Sequence, residues 1–147
     1  MDALKLLKQD HDKVKKLMKE IDDTTERGVK TREELFAKFL REIRAHEQAE
    51  EDVLYPTLLA HPKAKDIVME GFEEHHAVDV LAAELEEVAY DDETWGPKFT
   101  VIKENVEHHI EEEEDDMFKK ARRLLDEDEL EKLGQQMEEH KKAGLKS

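Results

Sequence analysis

The chain contains no cysteine. This excludes disulfides, thiolate-ligated zinc and iron–sulfur clusters, so any bound metal must be held by nitrogen and oxygen. Proline and glycine are also sparse, at 3 and 5 positions in 147 residues, a profile of long helices rather than of strands and turns. Basic residues number 24 against 40 acids, a net charge of −16. Phosphates repel such a chain, which argues against nucleic acid or an anionic membrane as partner, while cations collect around it. No apolar run is long enough to span a bilayer, and the N-terminal MDALKLLKQDH has none. The expectation is a cytoplasmic protein with a single domain over residues 1–147, long enough to bury a core.

Charged residues fill 44% of the chain, interleaved with apolar stripes at helical spacing. Helix one is expected from about Ala3 to Ile21 with Asp2 as its N-cap, and Leu4, Leu7, His11, Val14, Leu17, Met18 and Ile21 form its inner stripe. After a turn over Asp22 to Lys30, Thr31 and Glu34 read as a capping box that opens helix two. That helix carries Phe36, Phe39, Ile43, His46, Glu50 and Leu54 inward, and Pro56 ends or kinks it. His61-Pro62 marks the next turn. Helix three follows from about Ala64 to Ala89, with Val78, Leu81 and Leu85 on its apolar side. A loop over Asp91 to Pro97 leads into helix four, which carries Phe99, Ile102, Val106, His109, Glu113 and Met117 to about Leu125. A short fifth helix from about Glu127 to Lys141 and a basic tail complete the chain. Short connections between long amphipathic helices make antiparallel neighbours. The fold expected is all-α, an up-down-up-down four-helix bundle over about 3–125 plus the C-terminal helix.

An internal repeat carries the functional signal. At an offset of 63, Phe36, Phe39, Ile43, His46, Glu50, Leu54 and Tyr55 map onto Phe99, Ile102, Val106, His109, Glu113, Met117 and Phe118. At an offset of 64, Asp10, His11, Val14, Leu17 and Ile21 map onto Glu74, His75, Val78, Leu81 and Leu85. Each half therefore offers one histidine from its first helix and a histidine plus a glutamate, one turn apart, from its second. A lone histidine on an apolar stripe is ordinarily a core residue. Four of them with two glutamates are different, because a buried carboxylate is costly unless a cation compensates it. The pattern points to a transition-metal site in the bundle core, with His11, His46, Glu50, His75, His109 and Glu113 as its ligands.

The repeat also arbitrates between neighbours. His75 matches His11 while His76 matches Asp12, and His109 matches His46 while His108 matches Ala45. His76 and His108 are read as rim residues or as partners that orient a ligand. His61 and His140 read as solvated, and so do Glu47, Glu51 and the acidic run Glu111 to Asp116 apart from Glu113. Tyr55 and Phe118 lie off the His–Glu face and read as bundle-end packing, with the Tyr55 hydroxyl, which as a phenolate can bind ferric iron, left as a further group for the site.

These segments, DHDKV, HEQAEEDVLYP, EEHHAVDVL and HHIEEEEDDMF, resemble the hemerythrin-like, HHE cation-binding domain family over roughly residues 1–125. By that resemblance the six residues match iron ligands, with Glu50 and Glu113 in the places of carboxylates that bridge two irons. The family implies a non-haem diiron centre, oxo- or hydroxo-bridged, that reacts with dioxygen or related small oxidants. Oxygen-carrying members have a second histidine four residues along helix three. Here Asp79 follows His75 at that spacing and Val80 follows His76. Each iron would then have two histidines and a share of both glutamates, with positions left for Asp79, His76, water or an incoming molecule. The function expected is reaction with hydrogen peroxide or dioxygen, most concretely peroxide disproportionation as in a catalase. The alternative is a non-enzymatic oxygen, nitric oxide or iron binder, which as a sensor would need a partner protein. Imidazole and carboxylate together do not separate iron from manganese, nor one metal from two.

Overall fold

The structure, a computed structural model, describes residues 1–146, with side chains through Gly144. It is all-helical, and five helical rods form a hemerythrin-like bundle. The first rod is α1 (Ala3–Asp22), opened by Asp2, whose carboxylate accepts the Lys5 amide at 2.9 Å. The second rod is α2 (Val29–Ala49), a π-helical turn (Glu50–Leu54) and α3 (Tyr55–Leu59). A 3₁₀ turn (Pro62–Ala64) leads into the third rod, α4 (Lys65–Glu86). The fourth repeats the second, with α5 (Trp95–Glu112), a π-helical turn (Glu113–Met117) and α6 (Phe118–Leu124). The fifth, α7 (Glu127–Lys146), packs against α1 and α2.

Several boundaries differ from the sequence reading. The Thr31–Glu34 capping box does not form; α2 begins at Val29, with no side-chain cap. Arg32 decides this start. Buried at 4% exposure, it donates to Thr24 O, Thr24 Oγ1 and Tyr90 O, and stacks 4.5 Å over Trp95. These bonds lock both loops at that end. Trp95 itself, placed in a loop by the sequence, starts α5 and joins the core. A reciprocal box does form at α7, where Glu129 N donates to Asp126 at 2.8 Å and Asp126 N donates back at 3.3 Å. The helix it opens continues past Lys141 to Lys146. Pro56 does not end its rod, which continues to Leu59. It lies just past the π turn, whose closing bond runs from Tyr55 N to Glu50 O.

The core is two apolar clusters with a polar layer between them. Leu4, Leu7, Leu54, Leu58, Val68, Met117, Leu130, Leu133 and Met137 pack at one end. Val14, Leu17, Phe36, Phe39, Val78, Leu85, Trp95, Phe99 and Ile102 pack at the other. His11 lies between Leu7 and Val14 on α1, so it falls in the layer between the clusters.

α7 is held down by Gly134, where an added Cβ would lie 2.0 Å from Met1 O and 2.8 Å from the Asp2 carbonyl carbon. Alanine ordinarily stabilises a helix interior relative to glycine, by about 1 kcal/mol. Gly134→Ala should do the opposite and cost about 1–3 kcal/mol through overpacking. Gly144→Ala, whose Cβ meets nothing within 4 Å, should not. Urea unfolding of both variants checks this; a Gly134→Ala midpoint at or above wild type would mean α7 does not dock there.

Candidate metal centre

All six residues singled out in the sequence are buried, and they converge in the polar layer. Two groups form, His11 with His46 and Glu113, and His75 with His109 and Glu50, the ligand atoms of each lying within 4.8 Å of one another. The carboxylates tie the groups together. Glu50 Oε1 lies 3.1 Å from His46 Nε2 and 3.2 Å from His75 Nε2. Glu113 places Oε1 3.1 Å from His11 Nε2 and Oε2 3.2 Å from His109 Nε2. Each glutamate therefore reaches imidazoles of both groups.

The outer face of each ring explains why Nε2 points inward. His11 Nδ1 donates to Glu114 at 2.7 Å, His46 Nδ1 to Asp10 at 2.9 Å, His75 Nδ1 to Glu51 at 2.7 Å and His109 Nδ1 to Glu74 at 2.7 Å. An ionised carboxylate only accepts, so each Nδ1 holds the proton. In the neutral ring the Nε2 lone pair is then free for a cation. His46 Nε2, His109 Nε2 and Glu50 Oε2 are buried and make no hydrogen bond. Unpaired nitrogen and oxygen lone pairs converging in a dry layer are a donor set that fits a first-row transition cation.

The π turns re-aim the rod beyond each glutamate. Each turn closes from residue i+5 back to its glutamate, Tyr55 N to Glu50 O and Phe118 N to Glu113 O. The extra residue per turn brings Tyr55 and Phe118 onto the face that ordinary helical phase denies them. Tyr55 stacks on His75 at 5.5 Å between centroids and Phe118 on His11 at 6.0 Å. The Tyr55 hydroxyl donates to Glu113 Oε2 at 3.3 Å and lies 3.4 Å from His75 Nε2. Gly71 makes room for it, since a Cβ there would lie 2.6 Å from that oxygen.

The sequence model of the Hemerythrin HHE cation binding domain matches residues 2–121. The chain belongs to this family. A crystal structure of an HHE cation-binding domain protein from Mycobacterium kansasii superposes with a TM-score of 0.88 at 26% identity, covering 99% of this chain and 88% of that one. No curated protein matches the chain significantly.

Other sequence assignments change in this HHE domain. Glu51 and Glu114, read as solvated, are the partners of His75 and His11. Glu47, also read as surface, is 5% exposed with both oxygens unpaired. Burial pushes it up to about 8, with Asp79 adding to the rise and His75 and His46 opposing it. His76 and Asp79 are exposed and join neither group. His108 is a rim residue paired with Glu112 at 3.0 Å. His140 is not free but sits 2.7 Å from Asp52. The repeat held an unused signal, because Asp10 matches Glu74 at offset 64 and Glu51 matches Glu114 at offset 63.

Without a cation, protons balance the carboxylates. Burial disfavours charge on His46, but Glu50 and the Asp10 hydrogen bond outweigh it and raise the imidazole to about 10. His109 is likewise held well above its usual range, burial being overcome by Glu113, Glu50 and Glu74. A raised folded pKa gives stability that is complete below the unfolded value near 6.5 and lost as pH rises through about 10. Glu47 acts in the same direction between its ordinary 4.5 and about 8. The metal-free domain should therefore melt at progressively lower temperature from about pH 6 to pH 10, while a bound cation, which replaces the protons, keeps the loaded domain steadier. Melting curves at several pH values check this; a metal-free melting temperature that rises over the window contradicts the protonated centre.

Proposed function

We propose that the protein binds two iron ions and reacts with hydrogen peroxide or dioxygen, with disproportionation of two peroxides to two waters and one dioxygen as its activity. His11, His46 and Glu113 would hold one ion, and His75, His109 and Glu50 the other, each glutamate spanning both. One observation carries the reading. Two His–His–Glu groups share their carboxylates, and His46 of one and His75 and His109 of the other line a small cavity of about 10 Å³. Bound iron supplies the change of oxidation state.

The chain supplies the rest. Ile43, Val78, Val106 and Ile110 line the cavity beside His46, His75 and His109, and their apolar surface excludes bulk water. The Nδ1 carboxylates hold the four rings in orientation. The Tyr55 hydroxyl, aimed at Glu113, offers an O–H within the centre that can donate to an incoming oxygen. Burial and the neighbouring Glu50 and Glu113 carboxylates hold its pKa well above the usual phenol value, so this O–H keeps its proton in the metal-free centre. The crystallised relative is named as a cation-binding domain protein, which supports the metal and leaves the reaction to experiment.

Aerobically purified protein should contain about two irons per chain, the number of His–His–Glu groups. Glu50→Ala and Glu113→Ala should lower that content, as should His75→Ala and His109→Ala. Glu111→Ala and His76→Ala, both at exposed positions, should not; equal metal in all six variants removes the assignment. Added peroxide should release dioxygen over many turnovers, with the activity lost in His46→Ala. An oxygen trace that stops after about one equivalent identifies a binder or sensor of dioxygen or nitric oxide instead. Activity that survives iron removal discards both readings.

A further inference from the structure

The internal repeat makes the two sides of the centre comparable, and they differ in one respect that the proposed function does not use. Outside His11 lies an open cleft of about 520 Å³, floored by Phe118 and Glu114 and edged by Lys5, Lys8 and Arg122. Its volume falls within the range of small-molecule sites. At the repeat offsets Lys5, Lys8 and Arg122 correspond to Met69, Phe72 and Leu59. The other side therefore has apolar residues at those positions, and Phe72 packs on Tyr55 at 5.1 Å between centroids. The cations, Lys5 and Lys8 on α1 and Arg122 on α6, stand on one side of the centre only and are not a by-product of the repeat.

Their charges are available. Among the described residues no side-chain hydrogen bond or ion pair engages the Lys5 ammonium or the Arg122 guanidinium, and both residues are exposed. Lys8 is shared between Asp12 at 3.0 Å and Glu114 at 3.4 Å. Glu114, the one acid in the cleft wall, is engaged by Lys8 and by His11. In a chain of −16 this is a local concentration of positive charge. The repulsion from the remaining acids is screened beyond about 8 Å at physiological salt, so an anion that reaches the cleft meets its cations first. The floor leads inward without a gap. Phe118 stacks on the His11 ring and Glu114 accepts from its Nδ1.

We propose that this cleft seats a small organic anion that donates electrons, of the enediol type, one side-chain layer from His11. It adds to the proposed function a second activity at the same centre, peroxide reduction, and rests on that reading. For a monoanionic donor the balance is donor plus peroxide plus one proton giving oxidised donor plus two waters. The donor loses two electrons and one proton, and the peroxide O–O bond takes both electrons and breaks. The cleft outside His11 shares no lining residue with the small cavity beside His46, His75 and His109, so donor and oxidant need not compete for space.

Ascorbate is the probe. Its binding to metal-free protein is measured by calorimetry at low salt for wild type and for the Lys5→Glu/Arg122→Glu double variant, whose fold is checked by circular dichroism. Consumption of ascorbate and release of dioxygen are then followed in the iron-loaded proteins with peroxide. Expected are saturable binding, a loss of roughly tenfold or more in affinity and in the ascorbate kcat/KM on charge reversal, and unchanged dioxygen release without ascorbate. No saturable binding, or equal binding and equal consumption in both proteins, overturns the proposal. A chain that releases dioxygen from peroxide but does not bind ascorbate loses the donor cleft alone. One that binds ascorbate but neither consumes it with peroxide nor releases dioxygen loses the proposed function and the donor role together.

Discussion

The four Nδ1–carboxylate hydrogen bonds form a closed ring around the bundle. His11 on the first rod donates to Glu114 on the fourth, and His109 on the fourth donates to Glu74 on the third. His75 on the third donates to Glu51 on the second, and His46 on the second donates to Asp10 on the first. Each of the first four rods both gives and receives one bond. None of these partners is incidental to the geometry, because the bond fixes which nitrogen of each ring is free to face the centre. Nor are they optional for the fold. Four imidazoles and two glutamates in a dry layer are tolerated only if each outward nitrogen is satisfied and the inward lone pairs meet protons or a cation. The apolar clusters on either side supply the burial that makes the layer dry, and the layer in return sets the register of all four rods.

The π turns are the second constraint. A regular helix that carries His46 and Glu50 inward would turn Tyr55 away, since five residues overshoot one turn by about 140°. Closing the turn at i+5 brings position 55 back over the centre, as the Tyr55 N to Glu50 O bond shows. The same happens at Phe118. Both π turns begin at the glutamates that span the two groups, consistent with the enrichment of such turns at functional sites. The two long rods gain from this geometry a ring stacked against an imidazole on each side, and Gly71 leaves space for the only one of those rings that carries a hydroxyl.

This geometry accounts for which residues were legible in the sequence. His11, His46, Glu50, His75, His109 and Glu113 could be read because they lie where the helical period is regular and because the repeat presents each twice. The Tyr55 ring packs in the bundle-end cluster as its position implies, and its hydroxyl reaches the centre because the regular helical period does not continue through Glu50. Glu47 and Glu51 were misread. In a chain with 44% charged residues an acid one position off the stripe looks like its solvated neighbours, and only contacts across helices distinguish the two. Asp10, Glu74, Glu51 and Glu114 are legible from the same repeat, since Asp10 recurs as Glu74 at offset 64 beside His11 and His75, and Glu51 recurs as Glu114 at offset 63 beside Glu50 and Glu113. The start of α2 could not, because Arg32 acts through Thr24 and Tyr90, on loops that nothing local in sequence connects.

The repeat is most informative where it breaks. At the offset of 63, Tyr55 corresponds to Phe118 and Glu47 corresponds to Ile110. Both polar members sit on the second rod, and both apolar members on the fourth. Ile110 and Glu47 line the same cavity, so one pseudo-equivalent wall is hydrocarbon and the other is a carboxyl with no partner of its own. The partners of the rings differ as well. Asp10, which holds His46, is covered by Lys141 from α7, whereas its counterpart Glu74 faces Glu112 and His108 at the rim. A centre built from two copies of one helix pair would treat its two halves alike if the copies were identical. These substitutions set a hydroxyl beside His75 and an unpaired acid in the cavity wall, and a phenyl ring and a cationic cleft beside His11. The two halves are therefore chemically distinct, and a small molecule entering between them meets a different environment at each end.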